Sequence, residues 1–405
     1  MLTQLNSGQL ATIEEVLSQY AERLLALPNE QHLVGLYNGI CGHLLFLYQL
    51  SLVRPQLVDE QIFNDKLEHV QEGIAYLSQM HDLCNGLTGV GWTLEYFNQQ
   101  QEDDYDVQMC ETIDQWLMEL VSKEPWDGEI EFIYGLAGVL AYANRRASMG
   151  AAADLHEKLV DYYLCQVKNL DGGVSWSQPS NSNFRYDKQA DTEYNLGLAH
   201  GVPGIISVLL TGFEISQNNS GKHQQQLESI LIQSCDWLLS HGRKSGDDIS
   251  YFSSCVGDNR NTRLGWCYGD LTIALTLVRV GKAINRSDYI EMARKVALDC
   301  AKRNAKQAMI SDAGLCHGSA GVALIFKLLY RQLGDDELLQ AGLSWLDYSL
   351  NLYREHGLDG LNCYEPMSKQ YKRNSSFLMG DAGVGMCLLA YISDDFEWLD
   401  CMAMG

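Results

Sequence analysis

Gly318-Ser319-Ala320-Gly321, followed by the nearly all-apolar run Val322 to Leu329, is one of seven copies of a single device in this chain. The others are Gly39-Ile40-Cys41-Gly42, Gly86-Leu87-Thr88-Gly89, Gly135-Leu136-Ala137-Gly138, Gly201-Val202-Pro203-Gly204, Gly269-Asp270-Leu271-Thr272 and Gly380-Asp381-Ala382-Gly383. Successive lead glycines stand 47, 49, 66, 68, 49 and 62 residues apart, so a unit of just under 50 residues carries extra loop in three of its six intervals. A repeat of that length is one supersecondary unit that cannot bury its own apolar face and must stack on its neighbours.

Inside each unit the period is helical. Phe63, Leu67, Val70, Ile74 and Leu77 step by 4, 3, 4 and 3, as do Tyr289, Ala293, Val296 and Cys300, with charge on the opposite side; both segments are expected to be outer helices. The runs after the glycine turns, such as Val202 to Leu210, are apolar nearly all round and are expected to be buried inner helices. Two helices in each of seven units, with no stretch that alternates like a substantial sheet, predict an all-α chain: an α/α toroid of about fourteen helices with the glycine turns at one mouth. The repeats run from about Gly35 to Ala390, so residues 1–405 are expected to form a single domain.

Composition narrows the function classes. A net charge of −23 argues against nucleic-acid binding, which needs basic surface, and favours a cationic partner. No signal core and no long apolar run occurs, so an integral membrane protein is not expected and the cytoplasm is. The twelve cysteines lie mostly in helical or glycine-turn contexts, which reads as reduced thiols rather than a disulfide framework.

The repeat register sorts the reactive residues. The two positions before each lead glycine hold Tyr37-Asn38, Cys84-Asn85, Ile133-Tyr134, Ala199-His200, Cys267-Tyr268, Cys316-His317 and Leu378-Met379, so polar and reactive side chains gather on one rim. A free cysteine is most often a small buried hydrophobe. Cys267 and Cys316, however, occupy the same position in consecutive units, and His317 adjoins the second. Two thiolates and an imidazole form a zinc ligand set, and three protein ligands with an open fourth position mark a catalytic rather than a structural metal. Cys84 shares the register. With helices packed roughly 8–10 Å apart, a seven-membered ring puts its unit on the order of 20 Å from unit five, which excludes it from a site with Zn–S bonds of about 2.3 Å.

The motifs Arg263-Leu264-Gly265-Trp266-Cys267-Tyr268-Gly269-Asp270 and Cys316-His317-Gly318, with Leu198-Ala199-His200-Gly201 upstream, resemble the lanthionine synthetase C-like family, the cyclases of lantibiotic biosynthesis. The resemblance spans nearly the whole chain, and Trp-Cys-Tyr-Gly is closer to the bacterial cyclases than to the eukaryotic relatives. It implies a toroid with one zinc ion that closes thioether rings in a precursor peptide whose Ser and Thr residues have already been dehydrated. It also implies a separate dehydratase and an exporter as partners, with work at the inner face of the membrane in a biosynthetic complex.

Carried over residue by residue, the resemblance makes Cys267, Cys316 and His317 the zinc ligands and His200 the acid that protonates the enolate left by thiol addition. Arg263, four residues before Cys267, would orient a carboxylate or stabilise that enolate, and Tyr268 joins the catalytic set. The family's unit-three aspartate falls on Glu131, a departure, with Asp127 and Glu129 close by as alternatives. Unit five departs too, with Thr272 in place of the second glycine. The alternative function is a zinc-containing relative that binds or adds glutathione without closing rings. Glycoside hydrolases share α/α barrels but need paired carboxylates at the cavity, and none stands out at this rim.

Overall fold

A computed structural model describes residues 5–29, 33–77, 80–179, 182, 194–218, 221–243, 249–393 and 395–405. Numbered along the chain, its α-helices are α1 (Ser7–Leu25), α2 (Ile40–Val53), α3 (Glu60–Gly73), α4 (Leu87–Gln99), α5 (Glu111–Val121), α6 (Leu136–Ser148), α7 (Ala153–Gln166), α8 (Val202–Asn218), α9 (Gln224–Ser240), α10 (Asp270–Ala283), α11 (Ser287–Cys300), α12 (Ala305–Ala308), α13 (Ser319–Leu333), α14 (Asp336–His356) and α15 (Asp381–Leu389). Every helix that follows a glycine turn packs on the next of its kind: α2 on α4, then α6, α8, α10, α13 and α15, which returns to α2. That closed series is the inner ring of an α/α toroid, as the repeats predict.

Burial separates the two layers. In α13 every residue from Ser319 to Leu329 is buried, as expected of a helix covered on all sides. In α11 only the stripe Tyr289, Ala293, Val296, Ala297 and Cys300 is, which is the period read from the sequence. The outer helices α3, α5, α7, α9, α11 and α14 each pack behind the inner helix that precedes them. Unit seven breaks the pattern: among the described residues after α15 only a short 3-10 turn, Glu397–Met402, follows, and the helix packed behind α15 is α1 from the other end of the chain. The outer layer is thus completed by a contact between the first and last α-helices.

The extra loop in two of the long intervals includes two antiparallel hairpins, β1 (Lys168–Leu170) with β2 (Gly173–Ser175), and β3 (Cys363–Glu365) with β4 (Gln370–Lys372). Among the described residues no helix is long and apolar enough to cross a membrane.

The glycine turns are tied to one another around the mouth by main-chain hydrogen bonds. Tyr37 N donates to Cys84 O, Cys84 N to Ile133 O, Ala199 N to Cys267 O, Trp266 N to Cys316 O, Cys316 N to Leu378 O and Phe377 N to Tyr37 O, all at 2.6–3.3 Å. Glycine lets each turn fold tightly and its neighbour approach: a Cβ on Gly383 would lie 1.7 Å from Phe377 O of its own turn, and one on Gly42 would lie 2.8 Å from Phe377 Cβ of the adjoining unit. Below them, the segment around Trp398 to Met404 fills the middle of the ring, with Cys401 O accepting from Tyr37 Oη, Met402 O from Trp266 Nε1 and Ala403 O from Arg279.

Candidate metal centre

The turns of units five and six carry the three candidate ligands. Trp266 N and Cys267 N both donate to Cys316 O, at 2.6 and 3.4 Å, stapling one turn to the other. Gly265 makes the approach possible, since a Cβ there would lie 3.1 Å from both Cys316 O and His317 Cβ. Gly269 closes the unit-five turn at φ 113°, a conformation that favours glycine, whereas Gly39, Gly86, Gly135, Gly318 and Gly380 are extended at negative φ. Thr272, where the other units place their second glycine, is buried and turns its hydroxyl back onto Gly269 O at 3.3 Å.

The result is that one donor atom each from Cys267, Cys316 and His317 lies within 4.8 Å of the others, with Cys267 Sγ 3.9 Å from His317 Nδ1. Ligand atoms about 3.5–4 Å apart are what Zn–S bonds of about 2.3 Å and Zn–N bonds of about 2.0 Å give around a tetrahedral ion, so the donor set fits zinc in type and in spacing. The hydrogen bond with Cys316 holds Cys267 well below the usual thiol range, helped by His317 and Arg263, and Cys267 in turn pushes Cys316 up. Behind Cys316, Asp312 shapes the turn by accepting from Gly314 N at 3.0 Å through one carboxylate oxygen and from Tyr364 N at 2.9 Å through the other.

His200 and Glu131 occupy the neighbouring joint. Where the other turns are linked by main-chain bonds, Ile133 N instead donates to Glu131 Oε2 at 3.0 Å, and the same oxygen meets His200 Nδ1 at 2.7 Å. Units three and four are therefore joined by this side-chain pair. Glu131 is fully buried and also accepts from Tyr134 N, so backbone donors hold both of its oxygens in place and its bond to Nδ1 holds the ring of His200. Of the carboxylates left open by the sequence, Asp127 is exposed and Glu129 accepts from Ser182 Oγ at 2.8 Å, so Glu131 is the one that reaches His200.

Three flanking contacts were not anticipated. Tyr134 lies parallel to His200 with ring centroids 6.1 Å apart, and Asn195 Nδ2 donates to Tyr268 Oη at 2.8 Å while Tyr268 tilts against His200 at 6.5 Å. Tyr134 was visible in the rim register; nothing in the spacing of Asn195 gave it away. Arg263 is partly exposed, and its charge acts on both Cys267 and Cys316.

Cys84 stands outside this group. It is buried, accepts from Asn38 Nδ2 at 3.3 Å and is pushed up to about 12 by burial, so it remains a thiol. Cys84→Ser is expected to retain zinc and most activity, as elemental analysis and a turnover assay would read; a variant stripped of metal would make Cys84 a ligand. A second group with donor atoms in reach of one another, Glu157, Asp161 and His223, lies between α7 and α9. Lys222 pairs with Glu157, and His223 lies 3.4 Å from Asp161, which reads as a surface ion-pair cluster.

Residues 31–403 match the family described as Lanthionine synthetase C-like protein. Among curated proteins, the nisin biosynthesis protein NisC of Lactococcus lactis subsp. lactis is 21% identical over 348 residues, covering 79% of this chain and 80% of that one. The glutathione S-transferase LANCL1 of Danio rerio is 27% identical over 237 residues, 56% of this chain and only 53% of the relative's length. The solved structure of nisin cyclase superposes with a TM-score of 0.72, covering 98% of each chain at 17% identity, which shows a shared fold.

Proposed function

We propose a zinc-dependent thioether-forming activity for this chain, which belongs to the lanthionine synthetase C-like family. The substrate is a peptide that carries a cysteine thiol and a dehydroalanine or dehydrobutyrine, supplied already dehydrated, and the product is a lanthionine or methyllanthionine ring. The observation that carries this reading is the convergence of Cys267, Cys316 and His317 within 4.8 Å beside a buried Glu131–His200 pair. A metal site alone would suit many reactions. A thiol-rich site with an oriented imidazole in the adjoining turn suits thiol addition followed by protonation.

Zinc held by Cys267, Cys316 and His317 would supply the acidity that makes a substrate thiol, with an ordinary pKa of about 8.5, a thiolate near neutral pH. The thiolate sulfur adds to the β-carbon of the dehydro residue, and the π electrons move onto the carbonyl oxygen as an enolate. His200, its Nδ1 held by Glu131, protonates the α-carbon through Nε2, and the proton lost by the thiol restores the balance. Arg263, whose charge acts on both thiols, would meet the negative charge that develops beside them. The name of the zebrafish relative favours a second reading of the same site, in which glutathione is the thiol and the product is an open-chain adduct.

Incubating the zinc-loaded protein with a dehydrated, cysteine-containing peptide, with and without glutathione, separates these. Ring closure leaves the mass unchanged but removes the alkylatable thiol, whereas glutathione transfer adds the mass of the tripeptide. A peptide that keeps its thiol and its mass under both conditions overturns both readings.

A further inference from the structure

Asn195 is almost wholly buried, and both ends of its side-chain amide are engaged. Its Oδ1 accepts from Gly197 N at 2.8 Å, and its Nδ2 donates to Tyr268 Oη at 2.8 Å. A main-chain N–H can only donate, so the amide atom that faces Gly197 is the oxygen and the one that faces Tyr268 is the nitrogen. That nitrogen is donor-only as well, so in this pair the phenol oxygen accepts and its own hydrogen goes to some other acceptor. Gly197 seats the ring, since a Cβ there would lie 2.6 Å from Tyr268 Cδ1 and Cε1. Unit four thus holds the tyrosine of unit five by ring and by hydroxyl, beside His200 and next in sequence to Cys267.

Half of this arrangement is a recurrent turn cap. Asn195, Asp312 and Asn374 stand six residues before the lead glycines of units four, six and seven, and each accepts through Oδ1 from the N–H two residues on, at 2.8–3.0 Å. That shared register accounts for the cap and not for the bond to Tyr268. Asp312 has no side-chain nitrogen, and Asn374 Nδ2 makes no hydrogen bond among the described residues, yet both turns form. The turn needs the oxygen; the nitrogen serves the tyrosine. We propose that Asn195 is a positioning residue for thiol addition: its Nδ2 pins the Tyr268 oxygen, so that the phenol acts as a hydrogen-bond donor toward the carbonyl oxygen of the dehydro residue as that oxygen takes up enolate charge. The inference rests on the proposed function for the enolate. It holds for a peptide thiol and for glutathione alike, because both additions pass through one.

Asn195→Asp is the test, because a carboxylate keeps the cap, as Asp312 does in unit six, and puts an acceptor where the Nδ2 donor was, which captures the phenol hydrogen. With zinc content unchanged, thiol addition at saturating peptide should slow about 10- to 100-fold, the span for one hydrogen bond to a charged group, with KM little altered. Tyr268→Phe should slow it equally, and adding Asn195→Asp to Tyr268→Phe should cost nothing more. A carboxylate that acted by repelling the enolate or by loosening the turn would slow the double variant further, and that result overturns the proposal. So does an undiminished rate in Asn195→Asp alone. Asn374→Asp, the same exchange in unit seven, should leave the rate unaltered; equal slowing there would place the effect in the turn cap and overturn the proposal too. The bond itself is read by NMR without turnover: in zinc-loaded protein carrying isotope-labelled asparagine, Tyr268→Phe should shift the Asn195 side-chain amide protons and speed their exchange with solvent. Unmoved amide signals overturn the pairing. A wild type that adds neither thiol to a dehydrated peptide tells against the proposed function, and the inference falls with it; a wild type that does, beside an unslowed Asn195→Asp, tells against the inference alone.

Discussion

Cys316→Ala is expected to purify without zinc and to close no rings, the largest loss of any single substitution at this site. Two ligands, Cys267 and His317, would remain, and a two-ligand site does not hold the metal in competition with water and buffer. The fold should survive. Cys316 is tied into the rim through its main chain, its N donating to Leu378 O and its O accepting from Trp266 and Cys267, and none of these bonds needs the thiol. Alanine also fits the buried space of the cysteine. Elemental analysis should therefore find no metal in a protein with an unchanged helical spectrum, and thermal melting should lose only what metal binding contributes by mass action. Full zinc occupancy in this variant would sink the ligand assignment, whatever its activity.

How much of this was legible beforehand depends on the range of the interaction. The seven turns could be read because their lead glycines answer a local demand, the lack of room for a Cβ inside each turn, and that demand leaves glycine at the same register in all seven units. The inner and outer helices could be read because burial on all faces and burial along a stripe write different patterns. The metal group followed from the register once Cys267 and Cys316 fell on equivalent positions of adjacent units.

What stayed hidden was set by distant parts of the chain. The outer helix of unit seven is α1, a pairing that only ring closure creates. The hairpin β3–β4 has strands of three residues, too short to alternate, and showed itself only as surplus length in the interval of 62. Glu131 could not be told from Asp127 and Glu129 because what distinguishes it, a buried oxygen shared between Ile133 N and His200, joins two units. The Asn195–Tyr268 bond joins two more.

His200→Asn should keep its zinc and close rings about 10²–10⁴-fold more slowly, the usual span for loss of a positioned general acid. The metal should stay because its three candidate ligands come from units five and six, while His200 belongs to unit four, which meets the metal turn through the Ala199 N to Cys267 O main-chain bond that the substitution leaves in place, and His200 itself only flanks that turn at the ring of Tyr268. Asparagine also carries a side-chain N–H donor toward Glu131, so the buried carboxylate keeps partners there and at Ile133 N and Tyr134 N rather than being stranded. What asparagine cannot do is surrender a proton. The deficit should thus appear in the rate of ring closure at saturating peptide, with affinity for the peptide little changed, and proton delivery from solvent would account for the residual rate. Loss of zinc from His200→Asn would make the histidine a ligand and redraw the centre. An unchanged rate would reduce the Glu131–His200 pair to the joint between units three and four, a structural link where the other turns use main-chain bonds.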